Sequence, residues 1–443
     1  MKKGRNLLGL ILILGLVLSS LVGCGTNETA DVPSVEEETE EVSNGLRPLT
    51  FEFVPESRVE NFEDVKNFED WASACPHVVE SFLKGGEASQ EAIDAHGIFA
   101  ESGHSKLEQT FYESYPTTPE SFSVACLSCH SSGYEWAYEK YGDDVLNIKW
   151  MDVKEDNEGM DFWSCYLCHG NNPASTLTTN SIYSSRITDD IPKFAPGEAV
   201  CAQCHTVFTG LEVLTAELEG VYDVHKYGYD LEGIYDALVE STNKNPNQSN
   251  DALLDAVVYD KETGIKLYGT GSYLDVEMHQ GSIHQKMGLS CVDCHMPIEV
   301  AEDGTVYRSH NASGSVFESQ AAMNMCMTCH TNNEIKTTDD LIAYTKKLQA
   351  DATDRYFEVR EVQKGLRDAI IAAMAAGLDE ELIQDARDAY SRGDFYLAYS
   401  KKTEADYVEG AVPGTTSIHN YDKVLDYYDK AEEMFKKHTE NLK

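Results

Sequence analysis

Positive charge is scarce in this chain. Its 443 residues carry 35 lysines and arginines against 76 aspartates and glutamates, a formal charge of −41. Such a surface argues against nucleic acid, whose phosphates must be neutralised by cations, and against electrostatic docking on anionic lipid. It favours basic partners and it favours solubility. Long strand patterns are missing as well, so the fold expected is mainly α. No apolar run reaches the roughly 20 residues of a bilayer span, since the longest, Leu7 to Val22, has about 16. Cysteine outside one repeated motif is almost absent. Of 12 cysteines only Cys24 and Cys75 stand apart, which excludes a disulfide scaffold.

The other ten build one pentapeptide five times. The copies are Cys126-Leu-Ser-Cys129-His130, Cys165-Tyr-Leu-Cys168-His169, Cys201-Ala-Gln-Cys204-His205, Cys291-Val-Asp-Cys294-His295 and Cys326-Met-Thr-Cys329-His330. Cys-x-x-Cys-His attaches c-type haem: the two thiols add to the vinyl groups, and the adjacent histidine becomes the proximal iron ligand. Composition alone predicts roughly 0.01 chance copies, so accident is excluded. A zinc site pairs two Cys-x-x-Cys knuckles without needing a histidine after each, and a thioredoxin-like pair occurs once. Five covalent haems are expected, their porphyrins filling much of the core.

The amino terminus places the chain. Lys2, Lys3 and Arg5 precede the apolar run, and Leu21-Val22-Gly23-Cys24 resembles a bacterial lipobox. Residues 1–23 read as a lipoprotein signal peptide and Cys24 as the lipid-bearing residue of an extracytoplasmic protein anchored to the cell membrane. Residues 24–47 read as an acidic tether, with Glu28, Asp31 and five glutamates between Glu36 and Glu41 and no basic residue over 25–46. A haem-bearing domain over 48–335 and a helical region over 336–443 follow.

Motif starts at 126, 165, 201, 291 and 326 are separated by 39, 36, 90 and 35 residues, a trio and a pair around a long interruption. That interruption, 206–290, offers room for a haem-lined cavity. It holds a polar loop at 243–250 and the cluster Tyr273, Asp275, Glu277, His279 and His284. Ahead of the first motif, helical patches are expected at 65–74 and 89–99, and His77, His96 and His104 are candidate distal ligands. Cys75 has no assigned role. After the last motif, 339–374, 379–402 and 421–442 carry apolar residues at helical spacing, with Gly377 and Pro413 as breaks. Leu341, Tyr344, Leu348, Tyr356, Val359, Val362, Leu366, Ile370 and Ala373 form a stripe that reads as intramolecular core or as a helix-on-helix dimer surface.

On these residues the chain resembles the cytochrome c552 family, the pentahaem ammonia-forming nitrite reductases. The likeness rests on Val124-Ala-Cys126-Leu-Ser-Cys-His, Ile148-Lys-Trp150, Gly281-Ser-Ile-His284 leading into Cys291-Val-Asp-Cys-His-Met-Pro297, Tyr307-x-x-His310 and the closing helices with His419. It implies a dimeric, mostly helical enzyme with a haem-packed core and long C-terminal helices. It further implies that four haems are bis-histidine and that the first is open to nitrite. By position, His104, His284, His310 and His419 look like the distal ligands. The departures are specific. His130 stands where the family usually has lysine, Thr206-Val-Phe-Thr209 replaces a Glu-Tyr pair that serves calcium and catalysis, Ser102 replaces an arginine and Tyr273 a histidine. The usual calcium ligands are therefore not matched. Those losses remove charge and protons from an oxyanion site, with Lys106, Tyr273, His279 or His225 as replacements.

Two functions are consistent with the sequence. One is an oxidoreductase reducing nitrite or hydroxylamine at the haem of His130, with Tyr273 and His279 nearest the substrate. The other is a membrane-tethered electron carrier between a quinol-oxidising cytochrome and a separate reductase. Five proximal histidines out of 14 leave nine, enough to close every haem, so the count does not choose.

Overall fold

Short helices run through the motif-bearing stretch and long ones close the chain. In order they are α1 (Pro76–Lys84), α2 (Pro196–Ala202), α3 (Leu231–Lys244), α4 (Asp275–His279), α5 (Ile283–Lys286), α6 (Cys291–His295), α7 (Gln320–Cys326), α8 (Thr338–Ala376), α9 (Glu380–Leu397) and α10 (Tyr421–Asn441). Short 3-10 turns stand at His104–Lys106, Val316–Glu318 and Ser417–His419. Strand among the described residues is confined to two antiparallel hairpins, β1 (Val257–Tyr259) with β2 (Lys266–Tyr268) and β3 (Ile298–Val300) with β4 (Val306–Arg308). The fold is mainly α.

The computed structural model describes residues 72, 75–84, 104–106, 140–142, 165, 168, 194–202, 204–206, 225–244, 257–268, 274–312, 316–332, 334–397 and 417–443. Cys24, the signal peptide and tether, His96, Cys126, Cys129, His130, His169, Tyr273, Pro413, the patch at 89–99 and nearly all of the patch at 65–74 lie outside these residues. Among the described residues no helix is long and apolar enough to cross a membrane.

The start and stop of α8 are written in its sequence. Thr337 and Asp340 cap each other's backbone N–H groups at 3.1 and 2.9 Å, and Gly377 ends the helix in the left-handed region at φ +67°. Its apolar stripe faces α9 and α10. Leu341, Tyr356, Val359, Leu366, Ile370 and Ala373 are buried, so the stripe is intramolecular core. Tyr344 departs from the pattern at 45 % exposure, and Thr345 turns inward instead because its hydroxyl can donate to the Leu341 carbonyl at 2.9 Å. Burying Leu366 or Ile370 contributes about 1.5–3 kcal/mol each. An exposed pair such as Lys347–Asp351 is screened by water and contributes little, so packing decides the bundle.

The same core takes in α3 and the β1–β2 hairpin. The Tyr427 hydroxyl accepts the Leu231 N–H at 2.9 Å and pins the start of α3 to α10. On the hairpin, Arg367 donates to Asp260 at 2.9 Å and Arg387 to the Thr263 carbonyl at 2.7 Å, tying the turn to α8 and α9. The C-terminal helices thus brace the segment that leads into α4.

Candidate haem-ligation site

Each described motif folds as a single helical turn. In the third, the N–H groups of Cys204 and His205 both donate to the Cys201 carbonyl, at 3.1 and 2.8 Å. The fifth repeats this, with Cys329 and His330 donating to the Cys326 carbonyl at 3.2 and 3.0 Å. The fourth is α6 itself, whose first turn is held by Asp293 accepting from the N–H and the hydroxyl of Ser290, each at 2.8 Å. A turn of this kind is the local reason for the motif: it puts two sulfurs and one imidazole on adjacent positions.

Facing each proximal histidine of these three motifs is a second imidazole from elsewhere in the chain. His205 lies against His104 with ring centres 6.2 Å apart, His295 against His419 at 6.2 Å, and His330 against His284 at 5.8 Å. A ligating imidazole nitrogen sits about 2 Å from its metal and the ring centre about 1 Å further, so two rings on one iron have centres about 6 Å apart. The pairs fit that spacing. Among the described residues no group of three or more His, Cys, Asp or Glu is arranged to hold a bare metal ion. Facing pairs instead suit a metal whose remaining positions come from a macrocycle.

Hydrogen bonds select the nitrogen that is left for a metal. Asp275 lies 3.1 Å from His205 Nδ1 and 3.4 Å from His419 Nδ1. A carboxylate only accepts, so each Nδ1 carries the proton and each Nε2 keeps its lone pair. Burial alone would raise the Asp275 carboxyl, but these two donors hold it well below the usual carboxylate range. The carbonyl of Arg308 does the same for His310, at 2.9 Å, while Ser81 on α1 accepts the His310 N–H at 2.8 Å. His295 donates to the carbonyl of Ala312. Burial, followed by neighbouring imidazoles, pushes His104 and His295 down to about 4, so both are neutral near pH 7, the form that can ligate.

The motifs are packed against one another without a spacer. A Cβ on Gly197 would stand 2.5 Å from Val292 Cγ2 and 2.7 Å from Ser290 Oγ, so glycine alone lets α2 and α6 approach this closely. Cys201 and Cys291 come close across this contact, Cys168 neighbours Cys201, and Cys294 neighbours Cys326. Burial pushes the Cys168 thiol up to about 12 and the Cys294 thiol up to about 11. Arg308 closes the carbonyl end of α6, donating to Val292 at 3.0 Å and Met296 at 2.7 Å.

Other predicted residues are placed differently. His77 is half-buried on α1, with its Nε2 on Asp303 at 3.2 Å and its ring 5.5 Å from that of Tyr307, and among the described motifs no facing imidazole pair includes it. His225 is buried with its Nε2 on Glu277 at 2.8 Å, the opposite nitrogen to that with which His205 and His419 meet Asp275. His279 is buried with Nδ1 on Glu198 at 2.6 Å. Asp275 stood in a recognisable cluster but had no assigned partner, and Glu198 and Gly197 were missed. The one available signal was their position three and four residues before Cys201, on the same helical face as the motif.

The sequence matches the cytochrome c552 family model over residues 104–411. The fold is similar to that of a cytochrome c nitrite reductase catalytic subunit from Desulfovibrio desulfuricans, a structure noted for two calcium sites, at 18 % identity, 87 % coverage of both chains and a TM-score of 0.63. At that identity the likeness speaks for the fold. The family match begins at His104, the first of the facing imidazoles, and runs past all five motifs, and the chain belongs to the cytochrome c552 family.

Proposed function

We propose that the chain is a pentahaem oxidoreductase that reduces nitrite, or a related small substrate such as hydroxylamine, at the motif of Cys126, Cys129 and His130. The observation that carries this reading is the set of three facing imidazole pairs. On it, His205 and His104 hold the third haem, His295 and His419 the fourth, and His330 and His284 the fifth. His310, its Nδ1 held by the Arg308 carbonyl, is then assigned with His169 to the haem of Cys165 and Cys168. None of these four distal histidines is left for the first motif, which on this reading keeps an open position for a small ligand. When bound, haem c supplies an iron that acts as Lewis acid and one-electron donor.

The chain's own residues orient the imidazoles and manage protons. Glu198 holds His279 with Nε2 free to exchange a proton, and Tyr273 is assigned to the same site by its place in the sequence. Electrons come from a quinol-oxidising membrane cytochrome, delivered to a homodimer tethered outside the cell membrane through Cys24. Measuring ammonium formed from nitrite by the dye-reduced protein tests the activity. No ammonium, from nitrite or from hydroxylamine, sinks it.

One observation favours a second reading. His279 has its Nδ1 on a carboxylate, as His205 and His419 do, which also suits the sixth ligand of the first haem in a non-catalytic electron carrier. Cyanide titration of the ferric protein separates the two. A haem that responds in the wild type supports catalysis, whereas one that responds only after His279→Ala supports the carrier.

A further inference from the structure

We infer that Asp275 is a positioning residue that joins two haems, setting the potentials of the third and fourth together through one carboxylate. This rests on the ligand pairing proposed above, in which His205 and His419 serve different irons. The two oxygens of Asp275 are divided between them, Oδ2 to His205 at 3.1 Å and Oδ1 to His419 at 3.4 Å. An anionic acceptor on Nδ1 makes an imidazole a stronger donor through Nε2, which favours the ferric over the ferrous state. A single carboxylate that does this for both ligands lowers both potentials at once.

The surroundings hold Asp275 in that place. The next residue, Val276, donates its N–H to the His205 carbonyl at 3.2 Å and is buried with Phe194, Ala199, Ala202 and Tyr229. At the other end of α4, the ammonium of Lys423 donates to the carbonyls of Glu277 at 3.1 Å and Gln280 at 3.5 Å. Lys423 lies in the first turn of α10, just after His419, so one link fixes α4 relative to the fourth haem's distal ligand. The backbone contact at Val276 fixes it relative to the third haem's proximal one. The carboxylate is therefore held against both imidazoles by separate elements, and a change in its charge reaches both irons.

The test is potentiometry of the full haem-loaded protein, followed by haem-resolved electron paramagnetic resonance, in wild type, Asp275→Asn, Asp275→Glu and His419→Ala. Asp275→Asn should make two haems easier to reduce together, by about tenfold in ferrous-to-ferric ratio at a fixed potential, or 59 mV for one electron. The haem of His330 and His284 should not move. A shift of one haem alone, or of none, overturns the proposal. Should the Asn variant lose haem, Asp275→Glu keeps the charge on a longer arm, and its two potentials should again move as a pair; a single shift overturns the link. His419→Ala should make one haem high-spin. If it does not, the ligand assignment itself has failed. If it does while Asp275→Asn leaves every potential in place, only the carboxylate link is lost.

Discussion

Glu198 Oε1 lies 2.6 Å from Nδ1 of His279, and both side chains are buried. Gln280 donates to the same oxygen at 3.0 Å, so the carboxylate is fixed from two sides. A hydrogen bond to a charged group contributes about 1.5–3 kcal/mol net, which is enough to hold one tautomer and one ring orientation. The catalytic reading gives His279 a proton-exchanging nitrogen only because Glu198 occupies the other.

Changing Glu198 to Gln should therefore lower nitrite turnover by about 10–100-fold, the usual cost of removing an orienting partner. His279→Ala should cost about 10²–10⁴-fold. Both variants should keep all their haems. Turnover at the wild-type rate in both would remove His279 from the chemistry.

Haem content should be five per chain by pyridine haemochrome, with five haem masses added to the polypeptide. Replacing Cys326 and Cys329 by Ala should leave four and spare the other motifs. A wild-type count of four would break the reading of one motif.

Gly197→Ala tests the contact between the third and fourth motifs. The added methyl meets Val292 on α6 and Ser290 at its cap, whose hydroxyl is already held by Asp293, so neither neighbour gives way cheaply. Overpacking of this kind costs about 1–3 kcal/mol, and the melting temperature should fall. Unchanged stability would mean that α2 and α6 stand further apart than the structure places them.

Two glycines in the closing helices should respond in opposite directions. A Cβ on Gly393 would stand 2.5 Å from Phe435 Cζ, whereas one on Gly365 meets nothing within 4 Å. Gly393→Ala should destabilise despite its better helix propensity, and Gly365→Ala should stabilise by up to about 1 kcal/mol. Thermal melts of both variants check the sign.

Cys24→Ser should release the protein from membranes with its haem content intact. Retention after a salt wash would point to an uncleaved helix rather than a lipid anchor.

The haem chemistry was legible in the sequence because the motif is local. Two cysteines and a histidine within five residues need only one helical turn to converge, and the turns at Cys201, Cys291 and Cys326 are those turns. The closing helices were legible for a similar reason, since a stripe at 3.6-residue spacing and a glycine at 377 are properties of neighbouring residues. Even there Tyr344 and Thr345 exchanged places, because packing weighs the shape and hydrogen bonding of each side chain as well as its hydropathy.

What the tertiary structure decided is which distant residues meet. Only the family resemblance set His104 apart from His77 ahead of the first motif, and the fold brings His77 to Asp303 and His104 to face His205. Asp275 was one acid in a polar cluster until folding set His205 on one of its oxygens and His419 on the other. Composition and spacing say which groups can ligate a metal or accept a proton. Partners that lie scores of residues apart are chosen by how helices pack, and that depends on the whole core rather than on any stretch of chain.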